Sequence, residues 1–302
     1  MQNHCIRRLP GSDEKLPAGQ EENVQTIAGW PRKAGMRDGR GRDARFNEPG
    51  GICCGKDGKM YVVDRENHCI RTISSQGNVK IVCGPTTGES GFREGDAPQA
   101  LFKRPFGITA SPSDGALFVT DSGNDAVRRL NPNTYSVDTP FDGTLSSPVG
   151  CAVDGLNCLY VSEWGAHQIR RIQPDGSSIV CLGSPQRGKL DGRGQHAQLF
   201  SPAGLAWDAR GNQLFIADFG NHCIRRMTAA GDCSTVGMGG VVLVDDCIES
   251  QHYRLVSSSL GCQDGPARRA SFNSPQDVAV DAAGDIYVAD WGNHCVRKIE
   301  AE

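Results

Sequence analysis

The sequence predicts an all-β fold, a β-propeller of four-stranded antiparallel blades with five full repeats and an N-terminal half-blade. Three observations carry this expectation. A six-residue phrase recurs down the chain, short apolar runs separated by Gly- or Asp-bearing turns precede each copy, and no stretch shows helical periodicity. The phrase is Asn3-His4-Cys5-Ile6-Arg7-Arg8. It returns at 67–71, at 221–226 and, as Asn-His-Cys-Val-Arg-Lys, at 293–298, with looser copies at 124–129 and 166–171.

Each unit opens on Phe/Leu-x-x-Pro-x-Gly/Asp. The full forms are Phe46-Asn47-Glu48-Pro49-Gly50-Gly51, Phe102-Lys103-Arg104-Pro105-Phe106-Gly107 and Phe272-Asn273-Ser274-Pro275-Gln276-Asp277, and 145–150 and 200–204 are shorter relatives. An apolar run follows as strand a, at 51–54, 107–110, 151–154, 204–208 and 277–281. A turn leads to strand b at 60–64, 117–121, 159–163, 214–218 and 286–290, so the two runs form a hairpin. The next turn, Phe219-Gly220-Asn221-His222 in one copy, places Gly-Asn where a hairpin needs positive φ. Strand c carries the phrase, and a weaker strand d closes some units, at 24–28, 79–83 and 179–182. The chain reads as one domain, 1–302, with a half-blade at 1–29, repeats at about 44–84, 100–143, 145–183, 199–239 and 271–300, and an insertion loop at 240–261.

One spacing ties strand b to strand c. The acid ending strand b stands seven residues before an arginine in every full copy: Asp64/Arg71, Asp121/Arg128, Glu163/Arg170, Asp218/Arg225 and Asp290/Arg297. If Asp218 faces Cys223, Arg225 lies diagonally on the same sheet face, about 7–8 Å away, within reach of a long side chain. The pairs therefore read as structural ion pairs holding each hairpin. A carboxylate ring binding a cation is the other reading, weakened because every acid has its own basic partner.

Composition bounds the remaining functions. With 38 Gly, 16 Pro, 22% charged and 38% hydrophobic residues the chain is neither collagen-like nor disordered. A net charge of −3 and a pI near 6.2 provide no global attraction to nucleic acid or anionic membrane. There is no apolar run of about 18 residues and no apolar signal-peptide core, so a soluble, cytoplasmic chain without membrane insertion is expected. Because the phrase already stands at residue 3, the chain reads as starting mid-blade, with any targeting segment or further domain lying upstream.

Thirteen cysteines include four at one repeat position, Cys5, Cys69, Cys223 and Cys295. Equivalent positions of different blades rarely approach the ~6 Å a disulfide prefers, so they read as small buried hydrophobes. Vicinal Cys53-Cys54 is the one pair worth testing for redox chemistry. His4, His68, His167, His222 and His294 also share a repeat position, at a turn too far from its equivalents to place five imidazoles on one zinc ion. No nucleophile elbow or phosphate loop is present. No catalytic residue, metal ligand or cofactor is expected.

The repeat, Asp-x-Gly-Asn-His-x-Ile/Val-Arg-Lys/Arg-Ile after a Pro-x-Gly-Ile-Ala-Val-Asp-like strand, resembles the NHL repeat over about 44–299 plus the half-unit at 3–28. A connector, Asp-Gly-x-Gly-x-x-Ala-x-Phe, at 38–46 and less regularly at 191–200, 94–102 and 264–272, resembles that of NHL propellers in multi-domain proteins. Asp125 in the His position, Ala166 in the Asn position and Glu163 for Asp depart from the pattern, and the connector is missing before Leu145. The resemblance implies six blades, against five full units here. Either 24–28 supplies the fourth strand of the last blade, or 1–29 is half of a sixth blade; the duplicated strand c favours the second, and both stay open.

The resemblance also implies binding functions. The favoured expectation is a non-enzymatic, monomeric scaffold for an unidentified protein partner, one module of a larger protein, because the recurring residues have structural jobs. Some family members bind single-stranded RNA on a basic face, and a basic linker here carries Arg32, Lys33, Arg37, Arg40, Arg42 and Arg45, with Lys103 and Arg104 in the next equivalent loop. Aromatic platforms are sparse, at 6% of residues, with Trp30 alone near that linker. A metal-dependent lyase or hydrolase is the third alternative.

Overall fold

The computed structural model describes residues 3–9, 24–141, 143–236, 241–244 and 271–300. It is an all-β propeller of five antiparallel blades, with six short 3-10 turns among the described residues. The blades fall in two compact units, one holding 1–110 and 115–139 and the other 111–114 and 140–302.

In the first unit, strands a to d of blade 1 are Pro49–Cys54, Met60–Asp64, Cys69–Ile73 and Asn78–Cys83. Those of blade 2 are Ile108–Ala110, Leu117–Asp121, Ala126–Leu130 and Val137–Asp138. The second unit holds blade 3 (Pro148–Val153, Leu159–Glu163, Gln168–Ile172, Ser178–Gly183) and blade 4 (Pro202–Asp208, Gln213–Asp218, Cys223–Thr228, Asp232–Thr235). Strands a to c of blade 5 are Pro275–Val280, Ile286–Asp290 and Cys295–Ile299.

Strand b carries short unbroken apolar runs because both faces of a blade are covered. Tyr61, Val62 and Val63 are all buried, as are Leu159, Tyr160 and Val161. Core residues accordingly gather between consecutive sheets. Tyr61, Val63 and Ile70 of blade 1 meet Phe102, Leu117 and Val119 of blade 2. Tyr160 and Ile169 of blade 3 meet Leu214 and Ile216 of blade 4, and Phe215 and Ile224 of blade 4 meet Val278 and Val288 of blade 5. Face-to-face packing of twisted sheets interdigitates their inner side chains in this way.

Four expectations need correction. Segment 240–261 is not wholly an insertion loop: Val241–Val244 forms a strand antiparallel to Cys295–Ile299, and the rest lies outside the described residues. Four consecutive Val and Leu residues favour a strand, and an unpaired edge of strand c favours receiving one. Secondly, Gln25–Gly29 pairs with Cys5–Arg8 and not with blade 5, which removes the first of the two closures and makes the N-terminal residues a two-stranded sheet. Thirdly, the opening motif of blade 4 starts at Leu199, not Phe200. Leu199 is fully buried like Phe46 and Phe102, and it stands three residues before Pro202 as they stand before their prolines.

The fourth correction concerns the b–c turn. Positive φ falls one residue later than Gly-Asn, on the histidine position of each turn: His68 (55°), Asp125 (51°), His167 (58°), His222 (55°) and His294 (60°). His and Asp are among the few side chains that tolerate the left-handed region. The register inferred from the turn holds nonetheless, since Asp218 faces Cys223 and Ile216 faces Arg225.

Candidate functional site

Each strand-b acid meets its strand-c arginine. Oδ2 of Asp64, Asp121, Asp218 and Asp290 lies 2.8, 3.2, 2.9 and 3.4 Å from Nη1 of Arg71, Arg128, Arg225 and Arg297, and all eight side chains are fully buried. The other carboxylate oxygen accepts a backbone N–H from the opening motif, Asn47, Lys103, Phe200 or Asn273, at 2.7–2.8 Å. Asn67, Asn124, Asn221 and Asn293 of the phrase donate to the same acids at 2.8–2.9 Å. Burial pushes these four carboxyls above the ordinary carboxylate range, opposed by the hydrogen bonds and the guanidinium.

The arginines also fasten the connector. Arg71 donates to the carbonyls of Arg45 and Arg37 (3.0 and 2.9 Å) and to Asp38 Oδ1 (2.7 Å). Arg225 repeats the arrangement with Gln198, Leu190 and Asp191 at 2.9, 2.9 and 2.8 Å. The connector aspartate thus serves the same guanidinium as the strand-b acid. The second connector glycine, Gly41 or Gly194, adopts φ of 53° or 56° as the chain turns after a short fifth strand. The guanidiniums of Arg71, Arg128 and Arg297 lie 5.0, 5.4 and 4.7 Å from the rings of Phe46, Phe102 and Phe272, which accounts for the aromatic in the opening motif.

Blade 3 shows what happens without a connector. Arg170 reaches Glu163 through Nε at 3.1 Å and turns Nη1 to Ser178, while Gln168 donates to Glu163 at 2.7 Å, completing the set that Ala166 cannot. Its side chain is 19% exposed where the other four are wholly buried. The three departures in this repeat therefore belong to one structural change.

The recurring histidine joins consecutive blades. Nδ1 of His4, His68, His167 and His222 accepts the backbone N–H of Glu48, Arg104, Ser201 and Ser274 at 2.9–3.1 Å. Those four residues also have left-handed backbones. Burial holds the four imidazoles below the ordinary value of 6.5. Because the folded value is the lower one, the stability from neutral histidine is fully present above about pH 6.5 and is lost as pH falls through the folded value. The midpoint of urea unfolding is expected to fall between pH 7 and 5.5. His222→Asn, which keeps an acceptor and tolerates a left-handed backbone, is expected to flatten that slope; an unchanged slope counts against the tether.

The basic residues divide between two sites. Arg37, Arg40, Arg42 and Arg45 lie on the first connector, where Arg37 and Arg45 bridge each other's backbones, and Lys103 and Arg104 lie on the opening of blade 2. Arg104 is paired with Glu66 at 2.8 Å, and Arg40 Nε donates to the Gln76 carbonyl at 3.1 Å. Lys33 and Arg45 lie 4.7 and 4.8 Å from the Trp30 ring, so a face on which a base would stack is already in use. Burial pushes the Cys53 thiol up to about 12, which leaves it a poor nucleophile beside exposed Cys54. Among the described residues no group of three His, Cys, Asp or Glu converges to hold a metal, and no helix is long and apolar enough to cross a membrane.

A surface feature emerges only from the fold. The residue after each strand-b acid heads the b–c turn, and in blades 3, 4 and 5 it is Trp164, Phe219 and Trp291. Their rings form a row, with centroids 4.7 Å and then 6.1 Å apart and planes tilted by 54° and 41°. Trp291 is 48% exposed. On strand a of blade 5, Asp277 lies over Gly204, where the other openings have glycine. Its side chain reaches solvent, yet burial by the surrounding protein pushes the carboxyl up to about 6. The sequence signal for the row was one column of the internal alignment, occupied by Arg65 and Ser122 in blades 1 and 2.

Antiparallel sheets packed face to face, each tied by an acid–arginine pair between strands b and c, define a repeat β-propeller. The NHL repeat model matches residues 46–73 and 272–299, in blades 1 and 5, so the propeller carries NHL repeats. It is similar to NHL repeat-containing protein 2 of Gallus gallus, 24% identical over 92% of this chain and 42% of that protein. The chain thus spans less than half the length of that relative. Among solved structures it resembles a nidogen/laminin complex (TM-score 0.65, 18% identity, covering 99% of this chain and 87% of that one). It also resembles a streptogramin B lyase (TM-score 0.52, 16% identity, 84% and 65% covered). At these identities both likenesses concern the fold alone.

Proposed function

We propose that this chain is a non-enzymatic binding platform that presents its b–c turns to a protein partner, as one module of a longer protein. The observation that carries this reading is how the polar groups of the repeat are used. The acids, arginines, asparagines and four of the histidines bond within the chain, while the adjoining turn position varies from Arg65 to Trp291 and stays at the surface. Residues that vary at a fixed exposed position are where recognition is built. The likeness to a chain of a nidogen/laminin complex supports the reading, since that structure is one of a protein complex. The lyase likeness, at 16% identity, concerns the fold alone.

The test is crosslinked affinity capture with the propeller, followed by binding measurements on the recovered protein. A saturable partner lost on Trp291→Ser and kept on Arg40→Ser is expected. No saturable partner, or loss only on Arg40→Ser, would overturn the reading in favour of none or of the basic connector.

A further inference from the structure

We propose that Trp164, Phe219, Trp291 and Asp277 form a site that takes an arginine side chain of the partner protein. The inference rests on the reading that this face binds protein, and adds what it recognises.

The first observation is an absence of the chain's own cations. Elsewhere aromatic faces are filled from within: Lys33 and Arg45 over Trp30, Arg65 over Phe106, Arg187 over Phe200. Among the described residues no cation lies over Trp164, Phe219 or Trp291. Their rings are tilted and not stacked flat as Tyr160 and Trp207 are (13°); Trp164 and Phe219 are half-buried against the core, and Trp291 is exposed. Aromatic faces attract a cation within about 6 Å.

The second observation is an uncompensated carboxylate. Asp277 accepts the N–H of Val278 at 2.9 Å and has no ion pair among the described residues. It faces Ala289, two residues before Trp291, and lies over Gly204, two residues beyond Pro202, the partner of Asp218 that precedes Phe219. The register therefore places Asp277 on the strand beside the one that leads into Trp291.

Blade 1 supplies an internal template. Arg65 occupies the column of Trp164, Phe219 and Trp291; its guanidinium lies 5.3 Å from the Phe106 ring and 3.2 Å from Glu48 Oε2. Phe106 is the counterpart of Gln276, next to Asp277. Arg65 thus shows a guanidinium held between an aromatic ring and a carboxylate at a b–c turn, with its ring and carboxylate in other columns than Trp291 and Asp277. Arginine suits the site better than lysine because its planar, weakly hydrated head stacks and pairs at once. A phosphate-bearing ligand would meet Asp277 with like charge.

The test follows the indole N–H resonances of the whole chain while N-acetyl-arginine amide and a Gly-Arg-Gly peptide are added. Saturable shifts of the Trp164 and Trp291 signals are expected, with Trp30 and Trp207 unmoved and the Gly-Lys-Gly peptide weaker. Asp277→Asn, chosen because it preserves size, is expected to weaken arginine binding about tenfold, the scale of a hydrogen bond to a charged group. Absence of saturable shifts with the arginine probes, or equal binding by Asp277→Asn, overturns the inference. A protein partner still captured through Trp291 in that case leaves the platform reading standing and removes only the arginine.

Discussion

Asp218→Ala is expected to destabilise the folded chain by about 3–5 kcal/mol, the range for breaking a buried ion pair from one side. The alanine leaves the Arg225 guanidinium wholly buried with Asp191 as its remaining carboxylate, and Asp191 is half exposed. It also strands the Phe200 N–H and leaves the Asn221 amide with the Gly188 carbonyl as its acceptor. Glu163→Gln in blade 3 is expected to cost far less, because Arg170 reaches solvent and water can take over part of its solvation. The measurement is the urea midpoint at constant slope for the two variants. Equal losses would show that the connector-bound geometry of Arg225 adds nothing. Replacing both partners, Asp218→Leu with Arg225→Met, should recover part of the loss but not all, since the arginine also holds the carbonyls of Gln198 and Leu190.

The blades were legible because their repeat is written five times. Strand b could be bounded to the residue in blades 1, 2, 3 and 5, since an apolar run buried on both faces ends abruptly at an acid. The seven-residue spacing contained the acid–arginine register for the same reason. What stayed hidden has no local signature. The connector aspartates Asp38 and Asp191 serve arginines 33 and 34 residues away, and that pairing exists only once the chain has run through a blade. The histidine is an acceptor for the next blade's backbone, a role set by a left-handed turn that Gly-Asn was expected to supply. The aromatic row was hidden differently: Trp164, Phe219 and Trp291 are about 55 to 72 residues apart in sequence and meet only when blades stand side by side.

Gly150→Ala is the second large effect expected, about 2–6 kcal/mol, although it adds a single methyl group. Strands a of blades 3 and 4 lie against each other, and a methyl at Gly150 would stand 2.2 Å from the Ala203 carbonyl oxygen and 2.8 Å from Gly204 Cα. Both are backbone atoms, so no rotamer change can relieve the contact, and overpacking of this kind costs about 1–3 kcal/mol. Gly150 φ is not in the left-handed region, so conformational strain is not the cause. A further loss comes from Ser162, whose hydroxyl donates to the Ala203 carbonyl at 2.6 Å and accepts the Gly150 N–H at 2.8 Å in a buried site. Moving that carbonyl leaves a hydroxyl and a carbonyl unsatisfied, worth about 1–3 kcal/mol. The two contributions separate in a double-mutant cycle with Ser162→Ala. If the methyl acts partly by displacing the carbonyl from the hydroxyl, the double variant loses less than the sum of the singles. Strict additivity would mean that the clash is absorbed elsewhere and that the hydroxyl does not sense the distance between the two strands.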